Sequence, residues 1–209
     1  GAVVAMVEGT TAENIINVIA KIPLKERAKV SEITLDMAGS MNLVVRRCFP
    51  NAEQVIDRFH VQKLAFDALQ EIRIAHRWEA INEETNEIEN CKADNRRYDP
   101  KILKNEETKK QLLFRSRYLL FKSPNNWTLT QKKRAEILFK LYPDIKLAFS
   151  LVHSLRCIYN KKHPKNVAIA KLAIWFNKVT ESEFKSFNSI SATMYAHYDK
   201  ILNYFNNRS

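Results

Sequence analysis

The sequence has little glycine, proline or cysteine, and it has no long apolar run. Only 3 Gly and 6 Pro occur among 209 residues, which predicts long helices joined by short connections. Cys48, Cys91 and Cys157 are scattered without a CxxC spacing, so neither a zinc site nor a disulfide framework is supported. No apolar run approaches the length of a membrane span, and no basic-then-apolar leader is present. We therefore expect a soluble, cytoplasmic protein without a membrane partner.

Motifs of several common enzyme classes are also missing. The sequence contains no GxxxxGKS/T, GxGxxG, GxSxG or HExxH pattern. The sequence therefore does not support a function as a nucleotide-binding protein, an α/β-hydrolase or a zinc protease. We expect no small-molecule substrate.

The charge of the chain is large and unevenly distributed. Hydrophobic residues make up 45% of the sequence, enough for a core, and the formal net charge is +11. Residues 1–60 are balanced and residues 61–91 are acidic, whereas residues 92–209 carry 24 Lys/Arg against 9 Asp/Glu. A basic segment of this size attracts polyanions through counterion release, and nucleic acid is the first candidate. The alternative is that the lysines only keep helical surfaces soluble.

Strand and helix patterns alternate in the first sixty residues. Residues 2–7 form an apolar run typical of a buried strand, and a helix is predicted from Thr10 or Thr11 to about Ile22. Further strands are predicted at 33–36 and 52–57, separated by a short amphipathic helix. This alternation implies parallel pairing with right-handed crossovers, and such sheets hold functional groups outside the carboxyl ends of their strands.

After His60 the hydrophobic periodicity becomes helical. A helix of roughly thirty residues is predicted to end near Asp94, followed by a polar break at 95–100. Further helices are predicted around 106–121, 130–142, 143–160, 164–179 and 182–205. The predicted fold class is α/β but predominantly helical, with a partial α/β domain at 1–60 and an all-helical domain at 61–209.

Acidic residues end the second and third predicted strands. Asp36 and Asp57 would lie at the carboxyl ends of neighbouring parallel strands, where carboxylates can act as ligands of divalent metals. The alternative for Asp36, which the local sequence alone favours, is a cap on the following helix. Asp57 and His60 form an Asp-x-x-His step, which equally suits an N-cap with a nearby imidazole. Two groups are too few for a metal site made by protein alone.

A basic segment interleaved with aromatic residues follows the long helix, with charges for phosphates and rings for stacking. The candidate DNA-binding residues are Arg96, Arg97, Lys109, Lys110, Arg115 and Arg117, together with a second cluster of Lys132, Lys133 and Arg134. Arg115 and Arg117 cannot share one helical face, so we expect at least one to form an internal salt bridge. The second cluster also suits the solvated start of a helix.

Residues 30–63 resemble bacterial insertion-sequence transposases of the DDE type, the ISL group. The segment TLDMAGSMNLVVRRCFPNAEQVIDRFHVQKL pairs a "DM" strand end with the "FPNA…V.DRFHV.K" pattern, as members of that group do. The likeness continues more loosely through RSRYLLF at 115–121 and ILNYFNNR at 201–208.

The resemblance implies a ribonuclease H-like domain interrupted by a helical insertion. In such enzymes two Mg²⁺ (or Mn²⁺) ions, held by two Asp and one Glu, activate water or a 3′-hydroxyl for attack on a phosphodiester. Asp36 falls on the second Asp of that triad, which makes it the catalytic and metal-binding candidate. Asp57, Arg58 and His60 would support the site. Trp127 would be a candidate for stacking on a base, with core packing as the alternative.

The resemblance further implies that this chain is the central part of a catalytic domain. The first Asp would lie on a strand before residues 2–7 and the Glu beyond Ser209, so we expect an incomplete ribonuclease H-like sheet with an all-α insertion. We expect no activity and no bound metal in this part alone. The parent would act on transposon ends and target DNA as a bacterial, nucleoid-associated enzyme, with a homodimer left open. The alternatives are a noncatalytic helical nucleic-acid-binding module and a helical interaction protein with incidental charge.

Overall fold

A two-stranded parallel sheet is the only sheet in residues 3–206, the part of the chain that the computed structural model describes. Strand β1 (Glu32–Leu35) pairs with β2 (Glu53–Ile56), with Glu32 opposite Glu53 and Leu35 opposite Ile56. Helices make up most of the remaining described residues. The prediction of a predominantly helical α/β chain is therefore confirmed.

The helices follow the predicted order along the chain. Around the strands lie α1 (Ala12–Ile19), α2 (Leu24–Arg27), α3 (Gly39–Cys48) and the long helix α4 (Arg58–Ala93). The later helices are α5 (Lys109–Arg115), α6 (Arg117–Phe121), α7 (Leu129–Leu141), α8 (Pro143–Asn160), α9 (Lys165–Ser182), α10 (Lys185–Ala196) and α11 (Tyr198–Leu202). Short 3₁₀ turns occupy Pro124–Asn126 and Asn203–Phe205.

The predicted strand at residues 2–7 is wrong for the residues that the structure describes. Residues 3–7 form neither strand nor helix, and residue 2 lies outside the described part. Val3 and Val4 are each 79% exposed and Met6 is 89% exposed. An apolar run forms a strand only where a neighbouring strand and a packed face are available, and within residues 3–206 β1 and β2 pair only with each other. The other two predicted strands are confirmed to within one residue at each end.

Local backbone signals explain where the helix ends differ from the prediction. The helix predicted from residue 106 begins only at Lys109, because Glu106 has a φ of 62° and Thr108 forms a capping box with Gln111. Thr128 forms a second capping box at the start of α7. The stretch predicted as one helix at 182–205 is divided, since Glu183 has a φ of 58° and the helix breaks again before α11.

Two compact units make up the chain. The first contains the residues up to 62, residues 158–174 and the residues from 190 onward, and the second contains residues 63–157 and 175–189. The first unit therefore combines the N-terminal α/β segment with two C-terminal helical segments. The division into a ribonuclease H-like core and an inserted helical domain stays a prediction.

The C-terminal turn covers the edge of β2 that faces away from β1. The side-chain amide of Asn203 donates to the carbonyl oxygen of Gln54 at 3.0 Å, and that of Asn206 donates to Glu53 Oε1 at 2.8 Å. Beside this turn the ring of Phe205 stacks on Tyr159 with centroids 5.4 Å apart. A carbonyl that an edge strand would leave unpaired is thereby satisfied.

His76 joins α4 to the start of α8 within the second unit. Its Nε2 is in short contact with a carboxylate oxygen of Asp144, and its Nδ1 lies 2.9 Å from Glu79 Oε2. The ring also packs against Tyr142 at 4.7 Å. Burial lowers the pKa of His76, but the hydrogen bonds and charges of Asp144 and Glu79 outweigh it, so that the pKa is raised above 6.5.

We expect His76 to stabilise the fold more in acid than in base. Because its folded pKa is raised, the stabilisation is fully present below 6.5 and is lost as the pH rises through the folded pKa. His76→Gln should lower the free energy of unfolding by about 1 kcal/mol near pH 5.5 and by a smaller amount near pH 9. The value at pH 5.5 is smaller than that of a fully buried charged hydrogen bond because Glu79 is exposed. Urea denaturation followed by circular dichroism measures this difference. His163→Gln is the control, since the pKa of His163 is lowered by desolvation and by Lys171 and Lys161. An equal loss for His76→Gln at both pH values would contradict the expectation.

Candidate active-site edge and basic surfaces

Asp36 and Asp57 follow paired residues at the same edge of the sheet. Leu35 lies opposite Ile56, and the backbone N–H of Asp57 donates to the carbonyl oxygen of Leu35 at 2.9 Å. Since adjacent strands lie about 4.8 Å apart, the backbones of the two aspartates are neighbours at the carboxyl ends of the strands. The parallel pairing predicted from the sequence is confirmed.

Each of these carboxylates holds the turn that follows it. Asp36 Oδ1 accepts a hydrogen bond from the N–H of Ala38 at 2.9 Å, and Asp57 Oδ1 accepts one from the N–H of Phe59 at 2.9 Å. Asp57, the residue before α4, thus has the capping role considered for it. Asp36 holds only the turn before α3, whose N-cap is Ala38 without a side-chain cap hydrogen bond, so the helix-cap alternative for Asp36 is wrong. The Oδ2 atoms of both, which are only partly buried residues, make no hydrogen bond to the residues that the structure describes. One oxygen of each side chain is therefore open to another ligand.

Arg58 and His60 lie in the first turn of α4, directly after Asp57. Arg58 Nη1 donates to Asn160 Oδ1 at 3.3 Å, which joins the start of α4 to the end of α8 within the first unit. The His60 amide donates to the carbonyl oxygen of Asp57 at 3.1 Å, and its ring meets that of Phe59 edge-on at 5.8 Å. Within residues 3–206 the His60 imidazole makes no hydrogen bond. Its predicted support of the site stays a prediction.

The donor atoms at this edge are of the kind that Mg²⁺ binds. In the described part of the chain no three His, Cys, Asp or Glu side chains form a group that could hold a metal ion. However, Mg²⁺ is commonly bound by one or two protein carboxylates and completes its coordination with water and substrate phosphates. Asp36 and Asp57 fit such a partial site by the chemistry of their oxygens.

Five of the candidate DNA-binding cations are engaged by carboxylates. Arg96 pairs with Asp94, Lys109 with Glu83, Lys110 with Glu84, and both Arg115 and Arg134 with Glu107. The internal salt bridge expected for Arg115 or Arg117 is therefore confirmed, at Arg115. The acidic face of α4 is partly neutralised by the lysines of α5.

The other candidate cations are solvent-exposed. Arg97, Lys132 and Lys133 make no ion pair with any residue in the described range. Arg117 lies over the ring of Tyr118 at 5.5 Å and likewise has no carboxylate partner among the described residues. These four side chains keep their charge available to a partner.

Trp127 has a packing role in the second unit. Its indole N–H donates to the carbonyl oxygen of Leu119 at 2.8 Å, and its ring lies 5.5 Å from Phe149 and 6.2 Å from Phe139. This is the core-packing alternative considered from the sequence. Stacking of Trp127 on a base stays a prediction.

Glu107 is a buried carboxylate that ties two candidate cations to the fold. It is 2% exposed and accepts hydrogen bonds from Arg134 Nη2 at 2.6 Å and Arg115 Nη1 at 3.0 Å. Burial raises the pKa of Glu107, but the hydrogen bonds and charges of Arg134 and Arg115 outweigh it, so that the pKa is lowered. The stability this contributes is present above 4.5 and is lost as the pH falls through the folded pKa.

We expect Glu107→Gln to lower the free energy of unfolding by about 3 kcal/mol, because it leaves two arginines without their shared carboxylate. This value lies at the low end of the destabilisation expected for breaking a buried ion pair, since Arg115 is half exposed and can be rehydrated. Urea denaturation at neutral pH provides the measurement. The matched control is Glu106→Gln, the exposed neighbouring residue. Equal stabilities of the two variants would exclude the proposed role of Glu107.

Three asparagines that were not predicted from the sequence hold the first unit together: Asn160, Asn203 and Asn206. Asparagine does not follow the hydrophobic periodicity of helices or strands, and it is common in turns. Its positions in the sequence therefore do not predict such contacts. The only pointer was the likeness of ILNYFNNR to transposases, which includes Asn203 and Asn206.

Comparison with known families assigns the chain to a class. The model of the ISL3-type DDE family, described as a transposase, matches residues 1–209. The chain therefore belongs to the ISL3-type DDE transposase family, and the resemblance seen in residues 30–63 is confirmed. No curated protein and no solved structure matches it. DNA is the substrate implied by this family. Among the described helices, none is both long and apolar enough to cross a membrane.

Proposed function

We propose that this chain is part of the ribonuclease H-like catalytic domain of a DNA transposase, in which Asp36 is a ligand of a two-metal phosphoryl-transfer site. The pairing of Leu35 with Ile56 carries the proposal, because it brings Asp36 and Asp57 to one edge of a parallel sheet. Membership of the transposase family supports the reaction class. The β1–α3–β2 unit suits the proposed fold.

The residues at this edge would have different roles. Asp36 would hold Mg²⁺ (or Mn²⁺), which when bound supports attack of water or a 3′-hydroxyl on a phosphodiester. Asp57 and Arg58 would position the loop, through the N–H of Phe59 and the side chain of Asn160. His60 would support the same turn. Asp36 is the one triad carboxylate assigned in this chain, and one carboxylate cannot hold two ions.

The substitution Asp36→Asn distinguishes a metal-binding role of Asp36 from its role in holding the turn before α3. Asparagine keeps an oxygen that accepts from the Ala38 N–H but removes the negative charge. In the parent enzyme we expect Mg²⁺-dependent cleavage of a labelled transposon-end duplex to fall more than about 100-fold, beyond the usual cost of losing an outer-shell partner. Asp57→Asn, the same change at the neighbouring strand end, should cost about 10-fold at most.

The outcomes of this comparison are distinct. Wild-type activity of Asp36→Asn would reduce Asp36 to a turn cap. We expect this chain alone to nick no DNA. Mg²⁺-dependent nicking by it that disappears in Asp36→Ala would refute the incomplete-site proposal.

We propose that duplex DNA binds to Arg97, Arg117, Lys132 and Lys133, the candidate cations that have no carboxylate partner among the described residues. Lys132→Gln with Lys133→Gln should weaken binding and reduce the slope of log K against log salt by about 0.9 for each phosphate that is no longer neutralised. Fluorescence anisotropy with a labelled duplex over about 50 to 200 mM NaCl measures both quantities. Lys109→Gln with Lys110→Gln is the matched control, since Glu83 and Glu84 already neutralise these lysines.

The control also tests the alternatives. An equal loss of affinity in the control pair would contradict the assignment of binding to the unpaired lysines. Salt-dependent binding without any effect of Asp36→Asn on cleavage would favour the noncatalytic nucleic-acid-binding module. No salt-dependent binding at all would favour a helical interaction protein. A homodimer of the parent stays a prediction.

A further inference from the structure

Three arginines of the second unit, Arg73, Arg77 and Arg117, lie close together. Arg73 on α4 is 4% exposed, and it donates from Nε to Gln70 Oε1 at 2.7 Å and from Nη1 to the carbonyl oxygen of Leu113 at 2.9 Å. Burial and the charges of Arg117 and Arg77 lower the pKa of Arg73 to about 10, so it stays charged at neutral pH. None of the three arginines forms an ion pair with a described residue.

Exposed rings accompany these charges. The guanidinium of Arg77 lies 5.0 Å from the ring centroid of Phe114, and that of Arg117 lies 5.5 Å from the ring centroid of Tyr118. Phe114 is 60% exposed and Tyr118 69% exposed, one turn apart along α5 and α6. We call the surface formed by Arg77, Phe114, Arg117 and Tyr118 the arginine–aromatic strip.

This arrangement is unfavourable for the free protein. Like charges beside a buried arginine repel one another, and the buried Nε of Arg77 has no hydrogen-bond acceptor within residues 3–206. Nearby, Lys109 and Lys110 are matched by glutamates of the same helix α4. The strip therefore lacks the negative charge and the hydrogen-bond acceptors that an anion would supply. Its rings add an apolar surface that a simple anion would not cover.

We propose that the arginine–aromatic strip binds single-stranded DNA, with its arginines contacting phosphates and its rings stacking on bases. A single strand offers both groups at once, whereas the bases of a duplex are stacked on each other and leave mainly phosphates at the surface. An acidic protein segment would satisfy the arginines but would not give the rings planar partners. The inference rests on the proposed function as a DNA transposase, and it specifies the form of DNA that this surface holds.

The test compares ring and charge variants of the whole chain with a labelled oligo-dT strand of about 20 nucleotides and a duplex of the same length. Phe114→Leu with Tyr118→Leu should weaken single-strand binding by about tenfold or more, since stacking on one ring contributes that much, and change duplex binding by less than about twofold. Phe114→Tyr with Tyr118→Phe keeps both rings and should bind like the unmodified chain. Arg77→Gln with Arg117→Gln should reduce the single-strand salt slope by about 0.7 for each phosphate that these arginines neutralise.

Two matched controls address nonspecific effects. Leu129→Ala removes an exposed apolar side chain on α7, and Lys146→Gln removes an exposed cation on α8. Both should bind the single strand like the unmodified chain. Thermal unfolding by circular dichroism shows whether each variant is folded. If the leucine variant unfolds, the single-strand salt slope of Arg77→Gln with Arg117→Gln still tests the strip.

Each outcome decides between the proposals. Unchanged single-strand binding in the ring variant, equal losses of affinity in the controls, or competition by polyglutamate as strong as by oligo-dT would overturn the strip as a single-strand site. If duplex binding persists in that case, the transposase proposal stands while this inference fails. If neither form of DNA binds in a salt-dependent way, the proposed DNA-binding function fails together with it.

Discussion

Parallel pairing of β1 with β2 is the constraint on which the candidate active-site edge depends. Four residues of each strand are too few to form a stable sheet alone. The pair is completed by α3 after β1 and by Asn203 and Asn206, which cover the outer edge of β2. Residues from both ends of the chain therefore fix the positions of Asp36 and Asp57.

A local role and a metal-binding role are compatible for the same aspartate. Asp36 uses one oxygen to hold the turn before α3, and Asp57 does the same before α4. A carboxylate held in this way loses little further freedom when a cation arrives, which favours binding. The turn hydrogen bond of Asp36 and the proposed metal ligation thus involve different oxygens of one side chain, so the two roles do not exclude each other.

Charge matching divides the basic residues of the second unit into two kinds. Glutamates of α4 engage Lys109 and Lys110, and Glu107 engages Arg115 and Arg134, so part of the positive charge is matched within the fold. Charge without a carboxylate partner among the described residues, as on Arg97, Lys132, Lys133 and the arginine–aromatic strip, can act on a polyanion. The net charge alone would overestimate the number of cations that are available to bind DNA.

The sequence by itself determined the helical character and the strands that lead to Asp36 and Asp57, because hydrophobic periodicity and capping residues such as Thr128 act within one element. The family was indicated separately, by the motif resemblance of residues 30–63. Only the tertiary structure decided which local patterns were used. The apolar run at residues 3–7 is typical of a strand but has no pairing partner among the described residues, and Trp127, for which base stacking and core packing were both considered, packs on Phe149. The same holds for Arg115, which pairs with Glu107, and for Arg77 and Arg117, which have no carboxylate partner among the described residues. Pairing, burial and charge matching join residues far apart in sequence, and no local pattern encodes them.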